Sequence, residues 1–212
     1  FTGVTTAVIK TLEKKNLIEQ FENEIYRRPI DENKPIEISN VTLSEEQQCA
    51  FDSLVSQFNE HKKTASLLYG ITGSGKTQVY IKLIRYMLDI GRGAVMMVPE
   101  ISLTPQIIER FRSHFGNNIA VFHSALSLGE RMDEWKRVKN GEALVAIGTR
   151  SAVFAPFDNI GLIIMDEEQE HTYKSEKSPR FHARNVAKFR ANRHGAMLLL
   201  ASATPSVESF CN

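Results

Sequence analysis

Six short apolar runs, at 65–69, 94–98, 119–122, 143–147, 162–165 and 197–201, punctuate the chain from residue 65 onward. Between them lie longer segments of helical period, among them 77–90, 103–115 and 128–140. Apolar runs without polar alternation suit strands covered on both faces. Their alternation with helices predicts an α/β fold, a mostly parallel sheet flanked by helices and joined by right-handed crossovers. Ligands of such sheets bind beyond the carboxyl ends of the strands. The segments that follow each run are therefore where chemistry is expected.

Upstream of residue 65 the pattern differs. Residues 5–15 have the period of a short helix stopped by Asn16, followed by an extended pair around Ile18 and Ile25-Tyr26. Residues 29–40 are rich in proline and charge and predict a linker. A helix is expected after Thr42, with Ser44 as its N-cap and Gln47 three residues on in a capping-box pattern.

Composition changes this picture little. The 212 residues are 42% hydrophobic and 24% charged, ordinary for a globular chain with one good core and an appendage. No apolar run approaches the ~20 residues that span a bilayer, and no signal peptide is recognisable. Position 1 is Phe, so the sequence is expected to be an excised fragment. Cys49 and Cys211 have no metal-ligand spacing and read as free thiols of a reducing, cytoplasmic protein. A net charge of +1 does not announce a nucleic-acid binder, so any such contact must come from local patches.

The run at 65–69 leads into Gly70-Ile71-Thr72-Gly73-Ser74-Gly75-Lys76-Thr77, which fits the G-x-x-x-x-G-K-[ST] phosphate loop. Its glycines let backbone N–H groups wrap phosphates without side-chain obstruction. Lys76 supplies a point charge, the Thr77 hydroxyl can ligate Mg²⁺, and the following helix points its positive end at the same anion. The run at 162–165 ends in Asp166-Glu167-Glu168. Asp166 would hold Mg²⁺ and Glu167 would activate the attacking water. Alone, this triplet would read as an acidic helix start; coupled to the phosphate loop it argues for hydrolysis of a nucleotide, ATP or GTP, rather than phosphoryl transfer to a substrate. Three more blocks follow later strands: 99–106, 148–154 and 201–206. Their small hydroxyl residues and backbone N–H groups suit a grip on a nucleic-acid backbone without base reading.

In this order the blocks resemble the motifs of superfamily 2 helicases. The phosphate loop stands for motif I, 99–106 for Ia, Gly148 with Thr149, Arg150 and Ser151 for Ib, Asp166 to Gln169 for II, and Ser202-Ala203-Thr204 for III. Gln47 matches the glutamine that contacts adenine. Within the superfamily the wording of these blocks is similar to the PriA family of replication-restart helicases over nearly all of 41–210. The resemblance implies a RecA-like P-loop NTPase lobe at 41–212. It makes residues 1–28 the end of a winged-helix domain and 29–40 a linker. It also implies ATP and Mg²⁺ as cofactors and 3′-to-5′ unwinding of forked or single-stranded DNA. Other primosome proteins and single-strand-binding protein are the implied partners, with no membrane. Zinc is expected only in a C-terminal part of the family's full length. One position departs from the family: Gln169 stands where it usually shows His. Gln169 can still donate and accept hydrogen bonds, so coupling to Ser202 and Thr204 is expected to survive.

The segment 169–184 interleaves Tyr173 and Phe181 with Lys174, Arg180, His182 and Arg184. Rings can stack on unpaired bases while cations meet phosphates; a solvated charged loop with two tucked rings fits the composition equally. Similarity to the aromatic-rich loop of the family favours coupling of DNA to Glu167. Lys10, Lys14 and Lys15 stay open between phosphate contacts and a solvated helix face. Other readings remain open: a different translocase acting on RNA or branched DNA, a P-loop kinase, and a non-catalytic nucleotide-binding module.

Overall fold

The computed structural model describes residues 6–19, 41–60, 65–176 and 178–210. Helix α1 (Thr6–Lys14) ends as expected at Asn16, whose φ of 52° turns the chain back so that Leu17 N–H reaches Leu12 O. The extended pair around Ile25-Tyr26 and the linker at 29–40 lie outside the described residues, as does Cys211, whereas Cys49 is an exposed free thiol.

Among the described residues, six parallel strands form one sheet in the order β1-β6-β5-β2-β4-β3. They are β1 (Ala65–Tyr69), β2 (Gly93–Met97), β3 (Ile119–Phe122), β4 (Val145–Gly148), β5 (Ile160–Met165) and β6 (Met197–Ser202). Every residue of β2 to β6 is buried, because both sheet faces are covered. One face carries α2 (Glu45–Asn59), α3 (Lys76–Asp89) and α4 (Pro105–Phe115) over Met96, Val121, Ile147 and Ile164. The other carries α5 (Leu128–Lys139) and α6 (Ala183–His194) over Val95, Phe122, Ile163 and Leu200. Alternate residues of one strand thus feed two cores, which is why the strands read as unbroken apolar runs. A short α7 (Val207–Phe210) follows β6.

The six apolar runs and the six strands coincide to within two residues at each end. Helix α4 starts at Pro105 rather than 103, because Thr104 accepts the Ile107 N–H and proline occupies the first turn. Helix α6 is absent from the periodicity argument. Its twelve residues are charged on most sides, and it seats through Ala183, Ala187 and Ala191, a narrow stripe of small side chains at i, i+4 and i+8. At the carboxyl end of β4, Gly148 lies so close to β3 that a Cβ there would collide with Phe122 O. The sheet order brings the ends of β1, β6, β5 and β2 side by side, and the candidate chemistry gathers there.

Candidate nucleotide and nucleic-acid site

Strand β1 runs into the turn at 70–75, and Gly70 N–H is bonded to Ser202 O at the end of β6. Gly73 and Gly75 hold φ of 83° and 78°, conformations that a side chain would strain. Gly75 caps α3 with no side-chain acceptor, and of the first-turn N–H groups Gln78 N–H bonds Gly75 O at 2.9 Å. The Lys76 ammonium rests on the carbonyls of Gly70 (2.5 Å) and Ile71 (3.1 Å). Thr72, Gly73 and Ser74 are exposed and Thr77 is half-buried in the first turn of α3.

Gln47 belongs to this site through α2. Ser44 accepts the Gln47 N–H and Gln47 Oε1 accepts the Ser44 N–H, the expected capping box. Its amide nitrogen donates to Ser74 O at 2.9 Å, and a Cβ on Gly75 would collide with that nitrogen. The expected adenine contact therefore competes with bonds to the N-cap and the phosphate loop.

The acidic turn closes β5. Asp166 N–H is bonded to Met97 O, and two donors converge on Asp166 Oδ1: the Tyr80 hydroxyl at 2.9 Å and Glu167 N–H at 3.1 Å. Burial raises the Asp166 carboxyl above its ordinary range, against the lowering effects of Tyr80, Glu167 N–H and Lys76. Glu167 has φ of 45°, a left-handed conformation that costs a non-glycine residue about 1–3 kcal/mol. Its carboxyl is raised too, first by burial and then by Asp166 and Glu170. Glu170 N–H donates to Glu167 O at 2.9 Å and completes the turn.

Glu168, quoted in the sequence without a role, is buried to 1% exposure. Its carboxylate accepts from Ser206 N–H (2.7 Å), Ser206 Oγ (3.3 Å) and Ser209 Oγ (3.0 Å), and it pairs with Arg184. Arg184 also donates to Glu168 O at 3.1 Å. The acidic turn is thus tied to the starts of α6 and α7. No periodicity signalled this, although an acid, an arginine and two serines after apolar runs are what a buried polar knot requires. Ser202 Oγ donates to Gln169 Oε1 at 2.6 Å and accepts from Thr204 N–H at 2.8 Å. Gln169 therefore makes a bridge to the block that follows β6.

Two expectations for the loop at 169–184, and one for the block at 148–151, need correction. Tyr173 does not offer a ring for base stacking. It is 1% exposed, and its hydroxyl lies 2.6 Å from Asp166 O and 3.2 Å from Met97 O. An aromatic residue between apolar strands gains more from the core than from solvent. Arg184 is committed to Glu168, and Arg150 grips the carbonyls of Thr172 (3.2 Å) and Lys174 (2.9 Å). Arg184 is drawn inward because the buried Glu168 carboxylate needs donors, whereas Arg150 bonds carbonyls of the exposed residues Thr172 and Lys174. Phe181 is half-buried with its ring edge-on to Phe154, centroids 5.0 Å apart. His182 Nδ1 accepts Arg184 N–H and caps α6; burial and then Lys174 lower its pKa. Lys174, Arg180 and Ser151 are exposed, as is Thr204, while Thr149 is buried. Lys174 and His182 form an antiparallel bridge.

Among the described residues no helix is long and apolar enough to cross a membrane, and no cluster of three or more His, Cys, Asp or Glu suits a metal.

A family model for DEAD/DEAH box helicases matches residues 44–210. The chain is 44% identical over 209 residues to the replication restart protein PriA of Bacillus subtilis (strain 168), covering 99% of this chain and 26% of that protein. It is 38% identical over 215 residues to PriA of Haemophilus influenzae, covering 98% and 29%. The chain spans about a quarter of the length of the curated relatives it matches. The solved structure of RecG bound to a three-way DNA junction is similar with a TM-score of 0.61 and 26% identity, over 82% of this chain and 22% of RecG. The UvsW helicase from bacteriophage T4 shares the fold, with a TM-score of 0.53 and 18% identity over 94% of this chain and 70% of UvsW. The RecA-like lobe expected from the motifs is the fold these helicases share. With its family match spanning 44–210 and its near relatives named PriA, the chain belongs to the DEAD/DEAH box helicases.

Proposed function

We propose that this chain is the nucleotide-binding motor lobe of an ATP-dependent, 3′-to-5′ DNA helicase of replication restart. The observation that carries the reading is one convergence. Lys76, Glu167 with Asp166, and Ser202 stand at the carboxyl ends of β1, β5 and β6, strands adjacent in the sheet.

The residues fit ATP and Mg²⁺. The first turn of α3 carries N–H groups without a side-chain cap, beside the Lys76 ammonium, which suits phosphate. Thr77 in that turn and Asp166 at the end of β5 are the oxygen donors for Mg²⁺. Bound ATP supplies the phosphoanhydride that is hydrolysed, and Mg²⁺ neutralises charge on its phosphates. Lys76 exchanges loop carbonyls for phosphate oxygens. Gln47 contacts adenine from the start of α2. Glu167 takes the proton of the attacking water, and its raised carboxyl makes it a stronger base than an exposed glutamate. The left-handed turn fixes where that carboxylate points.

Coupling to DNA runs through Arg150, Gln169 and the loop around Tyr173. Arg150 holds the carbonyls on either side of Tyr173, and Tyr173 holds the backbone of Asp166. Lys174, Arg180, Phe181, Ser151 and Thr204 are the proposed DNA-facing groups. An arginine from a second motor lobe completes the transition state, so this chain alone binds nucleotide weakly and hydrolyses it poorly. In the whole protein we place forked and single-stranded DNA, primosome proteins and single-strand-binding protein as partners. Zinc belongs to a further part of that protein, and the location is cytoplasmic.

Glu167→Gln in the full-length protein tests the assignment. Binding of ATP is expected to persist while DNA-stimulated hydrolysis falls about 10²–10⁴-fold. Undiminished turnover would refute the role.

A further inference from the structure

Tyr80 lies on α3, one turn after Lys76 and three residues after Thr77. It is fully buried, and its ring belongs to the apolar cluster under α2, α3 and α4. A phenylalanine would fill that space without the cost of burying a hydroxyl. The hydroxyl instead crosses 86 positions of sequence to reach Asp166 Oδ1 at 2.9 Å. Glu167 N–H donates to the same oxygen at 3.1 Å. Among the described residues, no donor reaches Oδ2. The carboxylate is thus anchored by one oxygen and left with the other.

We propose that Tyr80 is a positioning residue for Mg²⁺: by tying Asp166 Oδ1 to the phosphate-loop helix, it leaves Oδ2 for the cation and fixes the distance between Asp166 and Thr77. The proposal rests on the reading of Asp166 as the carboxylate of the Mg²⁺ site. Outer partners of a ligating carboxylate hold its orientation, and their loss weakens metal affinity tenfold or more. Because Tyr80 and Thr77 share one helix, the bond also ties the phosphate loop to the acidic turn across the intervening strand β6.

The test is a Mg²⁺ titration of fluorescent ATP-analogue binding to the full-length protein, with a parallel measurement in EDTA. For Tyr80→Phe, affinity in EDTA is expected to stay within about twofold of wild type, while the Mg²⁺ concentration for half-maximal binding rises about tenfold. Asp166→Asn should shift the same titration, and adding Tyr80→Phe to it should shift it no further. Replacing Tyr80 with 4-aminophenylalanine keeps the ring and an N–H donor, and should restore the wild-type titration. If Asp166→Asn shifts the curve and Tyr80→Phe does not, the role of Tyr80 is overturned and that of Asp166 stands. If neither shifts it, the Asp166 reading fails and takes the proposal with it. An equal loss of affinity in EDTA and Mg²⁺, or failure of the amino variant to restore the titration, would make Tyr80 a packing residue and overturn the proposal.

Discussion

Glu168 shows how one residue holds the acidic turn. Its carboxylate is inaccessible, paired with Arg184 and bonded to Ser206 and Ser209. Removing one partner of a buried ion pair leaves the other charged and undercompensated, at a cost of about 3–5 kcal/mol. Glu168→Ala is therefore expected to lower unfolding free energy by about that amount in urea titrations. A loss below about 1 kcal/mol would mean that Arg184 and the two serines find other partners. The neighbouring residues separate what composition can tell from what it cannot. Asp166 and Glu167 were legible because a phosphate loop upstream demands a carboxylate at a strand end. For Tyr173 the composition allows a stacking ring and a tucked one alike, because aromatic and basic residues alternate in both DNA-binding loops and ordinary turns. Only its burial, and the bonds of its hydroxyl to Asp166 O and Met97 O, separate the two. Tyr80 carries no signal in the sequence, since a bond from α3 to the turn that closes β5 leaves no local pattern.

Among the elements, the strands were legible and α6 was not. Five of the six strands are buried on both faces, so hydrophobicity alone marks them, whereas α6 seats through alanines that carry little hydrophobic signal. Its start is set by His182, whose Nδ1 accepts the Arg184 N–H only when that nitrogen is unprotonated. The folded pKa of His182 lies below the ordinary 6.5, because burial and then Lys174 disfavour the charged ring. The unfolded chain therefore binds more protons in that window, and stability rises with pH. The contribution is complete above the ordinary histidine range and is lost as pH falls through the folded value. His182→Asn keeps a capping acceptor without a titrating ring. Its unfolding free energy, measured by denaturant between pH 7.5 and 5.5, should fall less steeply than that of wild type. A residual slope is expected from His123 and His194, whose pKa values are lowered as well. An unchanged slope would show that the cap does not depend on the protonation of His182.

At the scale of the whole molecule, the sheet order places the phosphate loop, the acidic turn and the block after β6 in one row, and Arg150 reaches from beyond β4 into the loop that holds Asp166. Arg150→Ala in the full-length protein is expected to reduce the ratio of DNA-stimulated to basal ATP hydrolysis, since the carbonyls flanking Tyr173 lose their clamp. An unchanged ratio would remove Arg150 from the coupling route. The fold class and the candidate nucleotide site could be read from six apolar runs and two motifs. The proposed route between DNA and ATP could not, because the bonds of Arg150 that suggest it end on main-chain carbonyls, which have no sequence signature. The central claim is that ATP hydrolysis at Glu167 drives strand separation. It is tested most directly by unwinding of a forked DNA with the full-length protein, wild type against Glu167→Gln, at saturating ATP and Mg²⁺. The account predicts ATP-dependent unwinding by the wild type and none above background by the variant, although the variant still binds ATP. Equal unwinding by both proteins would contradict it.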